Sequence, residues 1–396
     1  MAPTKPKVRS QKEKAKERAR AQMSATQTPT VNTRELLSTA TALLEIGEVV
    51  EAAKAARTVY EHIGESGRQA GAALSLLGQI NIEMGEIDQA REYLTAAVKV
   101  DEAGTLPEEL GGGPEKFLWL AQLSEDGGHD SVSWYERGAS ALRAQIQTLT
   151  DTLDSPLPLT RPQREAIVNE KRRKLADTLC AVAEVYMTDL SWEEDAEQRC
   201  ETLITEATML APELAETWQT VANVRISQSR TDEAQEALKR SLGFWTDLPP
   251  EDPGVPAFPT RVSLVRLLIE VGMEESAIDV AERLVGEDDL SVEAWYLGGY
   301  GRYMLGEKMR QEAQASDVEG WQGVWRSSRK WLAQCLRIFE AEDYEDERLK
   351  EHAQELLVTI TKEIGAPADD EDLNVWEDTD DEGDEDDDND SDAEME

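Results

Sequence analysis

Apolar side chains recur every three or four positions through most of residues 33–340, in runs that stop at a small residue and resume a few positions later. That spacing marks one face of an α-helix, and the stops predict tight turns. Four of the stops align without gaps: "EIGEVVEA" (45–52), "EMGEIDQA" (83–90), "SQSRTDEA" (227–234) and "EVGMEESA" (270–277). Each places a small residue five positions ahead of an alanine: Gly47 and Ala52, Gly85 and Ala90, Ser229 and Ala234, Gly272 and Ala277. A small residue reverses the chain at low steric cost, and an alanine lets the second helix approach the first closely. The pattern predicts a series of helical hairpins.

The cleanest unit is "ETWQTVANVRISQSRTDEAQEALKRSL" (216–242), with Trp218, Val221, Ala222, Ala234, Leu238 and Ser241 at helix-facing positions. It follows Pro212 of "ATMLAP", and Trp295 restarts the pattern in "AWYLGGYGRYMLG". Gly272 and Gly306 lie 34 residues apart. These residues resemble the tetratricopeptide repeat (TPR) family, whose period and W-x2-L-G-x2-Y, A-x3-F, P order they follow. The resemblance implies an all-α superhelical solenoid of about seven repeats across residues 33–340. The units at 117–142, 179–212 and 307–335 are degenerate, and 179–212 carries extra residues in its turn. A closing helix is expected in "DERLKEHAQELLVTITKEI" (346–364), since a solenoid needs a polar cap. Stretches 101–116, 152–163 and 246–260, rich in Gly or Pro, read as loops between repeats. The expected organisation is a disordered basic arm (1–30), a TPR solenoid (31–365) and a disordered acidic tail (366–396).

Charge changes the picture most. The formal net charge is −41; residues 369–396 hold eighteen carboxylates and no Lys or Arg, and residues 1–20 carry a net +6. The body between them is therefore −29. Such a surface repels nucleic acid and anionic lipid and attracts basic partners. Neither nucleic acid nor a membrane is expected as a direct partner. No apolar run is long enough to span a bilayer, the start "MAPTKPKVRSQKEKAKERAR" lacks an apolar signal core, and Cys180, Cys200 and Cys335 show no paired spacing. A soluble protein of a reducing compartment is expected.

Signatures of catalysis are not found. His62, His129 and His352 sit in unrelated segments with no partner at metal or triad spacing. The "GGG" at 111–113 lacks the GK[ST] of a phosphate loop, and "DEGDEDDDND" lacks the spaced ligands of a calcium loop. No enzyme activity, cofactor or metal is expected. Trp218 and Trp295 read as core, and Trp376 of the tail reads as either a partner anchor or a lone exposed aromatic.

The TPR resemblance implies that the first helix of each unit lines a concave face. The residues it places there are Glu83, Glu125, Asp177, Glu184, Glu216, Asn223, Glu270 and Glu293, with Tyr296, Tyr300 and Tyr303 close together on one helix. Arg34 and Arg266 are the exceptions. Carboxylates and tyrosine faces suit an extended basic peptide through ion pairs and cation–π contacts. The competing reading is a solvated helix face.

The combination of basic arm, about seven irregular repeats and polyacidic tail is similar to the dedicated TPR assembly chaperones of large-subunit ribosomal protein four. Across most of the chain, that resemblance implies capture of a newly made basic ribosomal protein by its long rRNA-binding loop. It further implies shuttling between cytoplasm and nucleus and release onto pre-60S particles. Residues 7–20 read either as an import signal for an importin or as a solvated arm. The tail reads either as a second anionic shield tethered near the client or as a solubiliser. A scaffold that organises a multiprotein complex without a basic client is the alternative.

Because every repeat signature and the closing helix lie between the two ends, a fragment of residues 31–365 should retain a strongly helical circular-dichroism spectrum and a cooperative melt. Loss of cooperativity on trimming would make the ends part of the fold.

Overall fold

The computed structural model describes residues 32–64, 69–152, 160–312 and 318–366, and these contain fifteen α-helices, one 3-10 turn and no strand. The expected basic arm, most of the acidic tail and Trp376 lie outside the described residues. The helices fall into two compact units, one ending at Arg230 and the other beginning at Thr231. That division cuts the clearest repeat, which periodicity alone did not suggest.

The first unit runs α1 (Thr33–Glu45), α2 (Val49–Ile63), α3 (Ala70–Glu83), α4 (Ile87–Val100), α5 (Glu115–Gln122), α6 (Gly128–Asp151), α7 (Arg161–Met187), α8 (Ala196–Leu210) and α9 (Ala215–Ser227). Each helix packs on its chain neighbours, and α1 on α3 and α7 on α9 also touch. The second unit runs α10 (Thr231–Leu242), α11 (Phe258–Glu270), α12 (Glu274–Glu287), α13 (Val292–Glu312), α14 (Val318–Ala341) and α15 (Glu347–Ile364). Within it α11, α12, α13, α14 and α15 pack in chain order, and α11 on α13 and α13 on α15 touch as well. Antiparallel helices stacked in this way are the arrangement expected of TPR hairpins.

All four aligned turns share one backbone design. Gly47, Gly85, Ser229 and Gly272 have φ of 78°, 75°, 59° and 74°. The next amide reaches five residues back in every case, from Glu48 to Leu43, Glu86 to Asn81, Arg230 to Arg225 and Met273 to Leu268. That is a Schellman closure, which satisfies otherwise orphaned carbonyls and requires a left-handed residue. The four partner alanines, Ala52, Ala90, Ala234 and Ala277, are 0% exposed. Where helices come closest even a methyl group is excluded: a Cβ on Gly78 would stand 2.6 Å from Leu94, and one on Gly306 2.3 Å from Trp325. The indole N–H groups of Trp218 and Trp295 donate to carbonyls six residues back, at Pro212 and Asp289. Trp295 is buried as expected, whereas Trp218 is only half-buried.

The degenerate units are built from unusual helix lengths, with α6 at 24 residues, α7 at 27, α13 at 21 and α14 at 24. The extra turn residues expected in 179–212 form the α7–α8 connection at 188–195, pinned by buried Leu190. The loops are shorter than composition suggested. Helix α7 already starts at Arg161, where Thr160 and Gln163 form a capping box and Pro162 occupies the first turn. Proline is tolerated there because those N–H groups have no intrahelical partner, so the loop ends earlier than its proline content suggests. Likewise α5 starts at Glu115 and α11 at Phe258.

The loop at 101–114 is organised around a buried charge pair. Lys116 Nζ donates to Asp101 Oδ2 at 2.9 Å and to the Gly111 and Gly113 carbonyls, each at 3.3 Å. Asp101 also accepts from the Thr105 and Leu106 amides. A buried ion pair holds only when its remaining hydrogen-bonding groups are satisfied in this way. The "GGG" follows from close packing, since a Cβ on Gly111 would fall 2.1 Å from the Gly71 carbonyl carbon. The Pro-rich connection at 246–257 is held similarly: Arg283 donates to the Thr246 and Leu248 carbonyls and lies over the fully buried Trp245 ring.

Ser229 is the one repeat turn that forces a Cβ into the left-handed region. Replacement by glycine should stabilise the protein by roughly 0.5–1 kcal/mol. A higher denaturant midpoint at unchanged slope would show this; no gain, or a loss, would mean the serine side chain compensates.

Candidate functional site

In the first unit four of the expected residues occupy two adjacent helices. Asp177 and Glu184 lie seven residues apart on α7, and Glu216 and Asn223 seven apart on α9. Seven residues are nearly two turns, so each pair shares a face of its helix. Asp177 and Glu184 are exposed, whereas Glu216 and Asn223 are half-buried. Between the two α7 carboxylates sits buried Cys180, whose thiol interacts with Thr217 and Thr220 of α9. Burial pushes that thiol up to about 12, and the charges of Asp177 and Glu184 act in the same direction. Across this contact Asp177 stands near Glu216.

The electrostatics mark the patch. Loss of surrounding water, and then repulsion from Glu216, push Asp177 up to about 6, against the pull of Arg173 and Lys174. Burial also raises Glu184 above the usual carboxylate range. Water still reaches both groups, so the loss of hydration is partial. Lys171 and Lys174 of α7 are drawn away to Glu108 at 2.6 Å and Glu115 at 2.5 Å. Among the described residues, Asp177, Glu184 and Glu216 have no ion-pair partner, although ion pairs are common elsewhere on both units. Asp177 beside Glu216, with Glu184 two turns further along the same face, can accept Lys or Arg side chains from a partner.

The other first-unit residues stand apart from this patch. Glu83 is exposed at the end of α3, and Glu125, in the turn after α5, is engaged by Arg91, which also holds Asp88. A separate hollow of about 410 Å³ opens among α1, α3 and α5, lined by Thr41, Ser75, Gln79 and Trp119 together with Lys116 and Arg34, which is paired with Glu109. Its neutral polar residues gave no charge signal in the sequence.

In the second unit Glu270 is exposed at the end of α11, while Glu293 is paired with Arg266 at 2.7 Å. Arg266, the apparent exception to an acidic face, thus neutralises one of its members. The tyrosines do come together, but the chain itself covers one side of them. Tyr296 hydroxyl lies 2.6 Å from His352 Nδ1 of α15, and Tyr300 meets the His352 ring edge-on. Tyr303 stacks on Trp325 of α14 with ring centres 5.2 Å apart. Burial pushes the Tyr296 phenol up to about 12. His352, read from sequence as isolated, is therefore a packing partner of the aromatic patch. His129 likewise finds Glu193 at 2.6 Å. No group of three His, Cys, Asp or Glu residues that would hold a metal occurs among the described residues, and no described helix is long and apolar enough to cross a membrane.

Comparison with known proteins adds an independent line. Residues 72–103 match the tetratricopeptide repeat family. A protein of Emericella nidulans named probable assembly chaperone of rpl4 is 45% identical over 357 residues, which cover 88% of this chain and 86% of that protein. A protein of the same name from Schizosaccharomyces pombe is 30% identical over 346 residues, covering 86% of this chain and 96% of its own. The solved structure of residues 1–338 of the assembly chaperone of RpL4 (Acl4) superposes with a TM-score of 0.68 at 73% identity, covering 72% of this chain and 100% of that one.

The raised Asp177 predicts a pH effect of definite sign. Its folded value of about 6 lies well above the ordinary aspartate value, so the native state holds the proton more tightly between those limits. Stability contributed by this group is present below the window and is lost as pH rises through it. Asp177→Asn should therefore raise the melting temperature at pH near 7.5 but not near pH 4. The gain should be roughly 1 kcal/mol or less, because water screens an exposed carboxylate. An equal shift at both pH values would show that the carboxylate is not strained in the fold.

Proposed function

The chain belongs to the family of assembly chaperones of ribosomal protein rpl4, and from that premise we propose that it captures a newly made basic ribosomal protein by its extended rRNA-binding loop. It keeps that protein soluble and delivers it to nuclear pre-60S particles, shuttling between cytoplasm and nucleus. The observation that carries the reading is the patch of Asp177, Glu184 and Glu216, unpaired among the described residues. An rRNA-binding loop away from RNA is a polycation that scavenges any nucleic acid, and carboxylates take the place of the phosphates it awaits. Because rRNA competes for the same cations, release needs no chemistry from the chaperone. The role is binding, with no catalytic step.

Desolvation matters to this mechanism. A carboxylate that resists ionisation in the free protein regains its charge when a guanidinium or ammonium group arrives, so capture at mildly acidic pH is coupled to proton release. Import would use an importin, recruited either by residues 7–20 or by the client.

The test is charge reversal of Asp177, Glu184 and Glu216 to Arg in the full chain, with affinity for the large-subunit protein and its loop peptide as the readout. Glu293, an equivalent choice on sequence grounds, is the weaker target because Arg266 already occupies it. Each reversal removes an attraction and adds a repulsion, of about 1–3 kcal/mol per well-placed pair, so binding should weaken by two or more orders of magnitude. Arg is as good a helix former as Glu, so circular dichroism should not change. Undiminished binding by a folded triple variant would remove this patch from the mechanism. Purification of a salt-resistant set of neutral subunits in place of a basic protein would support the scaffold reading instead.

A further inference from the structure

The hollow among α1, α3 and α5 is neutral, in a chain whose formal net charge is −41. Each charged side chain in its lining already has an opposite partner. Glu109 meets Arg34 at 3.3 Å, Glu115 meets Lys174 at 2.5 Å, and Glu108 meets Lys171 at 2.6 Å. Lys116 is buried and held by Asp101. The uncharged groups are the opposite case. Ser38, Ser75, Gln79 and Trp119 make no side-chain hydrogen bond among the described residues. Ser75, Gln79 and Trp119 are half-buried, so their polar atoms lose part of their water without gaining a protein partner. Trp119 is backed by the cluster of Leu94, Val98 and Phe117.

These groups have the spacing of a main-chain reader. Ser75 and Gln79 stand one turn apart on α3, about 6 Å along its axis. Peptide groups that point the same way on an extended chain recur about every 6.6 Å. A hydroxyl and a primary amide can each donate and accept, so they serve either an N–H or a C=O. Trp119 adds a flat apolar ring with one N–H at its edge. The volume of about 410 Å³ falls within the range of ligand sites, about 300–1,000 Å³. The hollow also reaches toward the carboxylate patch. Glu115 of its lining bonds Lys174 of α7, which stands three residues before Asp177 and pulls on its charge.

We propose that this hollow is a second subsite for the extended segment whose cations pair with Asp177, Glu184 and Glu216, a role that depends on the patch taking those cations. It holds an uncharged stretch of the segment, with peptide groups bonded to Ser75 and Gln79 and small or apolar side chains against Trp119. A lysine or arginine placed here would find every carboxylate of the lining already answered, and would lose its water for nothing. The patch alone reads charge, whereas the two subsites together read an uncharged run beside a basic one. A plain polycation fits the patch and leaves the hollow empty, so the hollow separates the client from other polycations.

Two variants of the full chain test this: Ser75→Trp, which fills the hollow, and Gln79→Leu, which removes the amide at nearly constant volume. Affinity is measured for the loop peptide of the large-subunit protein and for decalysine, which has no uncharged side chain. Ser75→Trp should weaken the loop peptide about thirtyfold and Gln79→Leu about fivefold, while decalysine binding changes by less than about twofold. Circular dichroism and the melting temperature report folding, and should Ser75→Trp not fold, Gln79→Leu decides alone. Unchanged loop-peptide affinity in the folded variants would overturn the subsite and leave the patch standing. Equal losses for the loop peptide and decalysine would overturn it too, because the substitutions would then act through the patch or the fold. Reversal of Asp177, Glu184 and Glu216 to Arg, run alongside, should weaken both probes. If it weakens neither, the patch reading fails and the subsite falls with it.

Discussion

Close approach of neighbouring helices is the constraint on which the rest of this structure depends. Two helices meet at short range only where one side of the contact is nearly bare, and the sequence meets that need with alanine or glycine at fixed places. Ala52, Ala90, Ala234 and Ala277 are wholly buried, and Gly78 and Gly306 leave no room for a methyl group beside Leu94 and Trp325. The turn before each alanine must reverse the chain within a few residues, which needs a left-handed residue and a closing amide bond. Ser229 shows the force of the requirement: a residue with a Cβ adopts the conformation that glycine takes at the other three turns. Large apolar residues fill whatever space this spacing leaves.

Regular hairpin spacing also decides where charge can collect. Side chains seven residues apart on one helix stand above one another, and adjacent helices bring two such pairs together. On α7 and α9 this places Asp177 and Glu184 on either side of Cys180 and Glu216 near Asp177, with Lys171 and Lys174 bonded to Glu108 and Glu115. Such a cluster opposes folding, because its members repel one another and lose hydration. It is explicable as a place where a partner supplies the missing cations. Glu125 and Glu293 make the contrast, since each is already answered by an arginine and asks for nothing further.

The hairpins were legible because helix period, turn and close contact each leave a residue-type signature, and three signatures at one spacing leave little freedom. What escaped was long-range or depended on pairing. Helix α7 extends to 27 residues because Thr160 and Gln163 cap it ahead of where proline seemed to forbid a helix. The buried Lys116–Asp101 pair joins residues fifteen apart, and no propensity announces it. Acidic positions could be assigned to a face from their period, but whether each is free or paired could not. That depends on neighbours such as Arg91 and Arg266, which come from other helices. The three tyrosines share α13, as their spacing implies, yet the contact of Tyr296 with His352 spans 56 residues and lies beyond any periodic signal.

Tethering decides how a tail of eighteen carboxylates behaves in a protein that already carries excess negative charge. Unattached, such a polyanion would be repelled by most of the surface and would add to the self-repulsion that opposes a compact state. The described chain ends close to Gly365, whose carbonyl accepts from Arg329 of α14, and the tail's carboxylates begin four residues further on. Ion pairs that such a tail makes at a surface are weak and quickly broken, so its carboxylates stay exchangeable. The same weakness suits acidic elements to a cationic partner that is held only for a time. Many modest, screened attractions hold such a partner well in sum, yet they yield one by one to a denser array of phosphates.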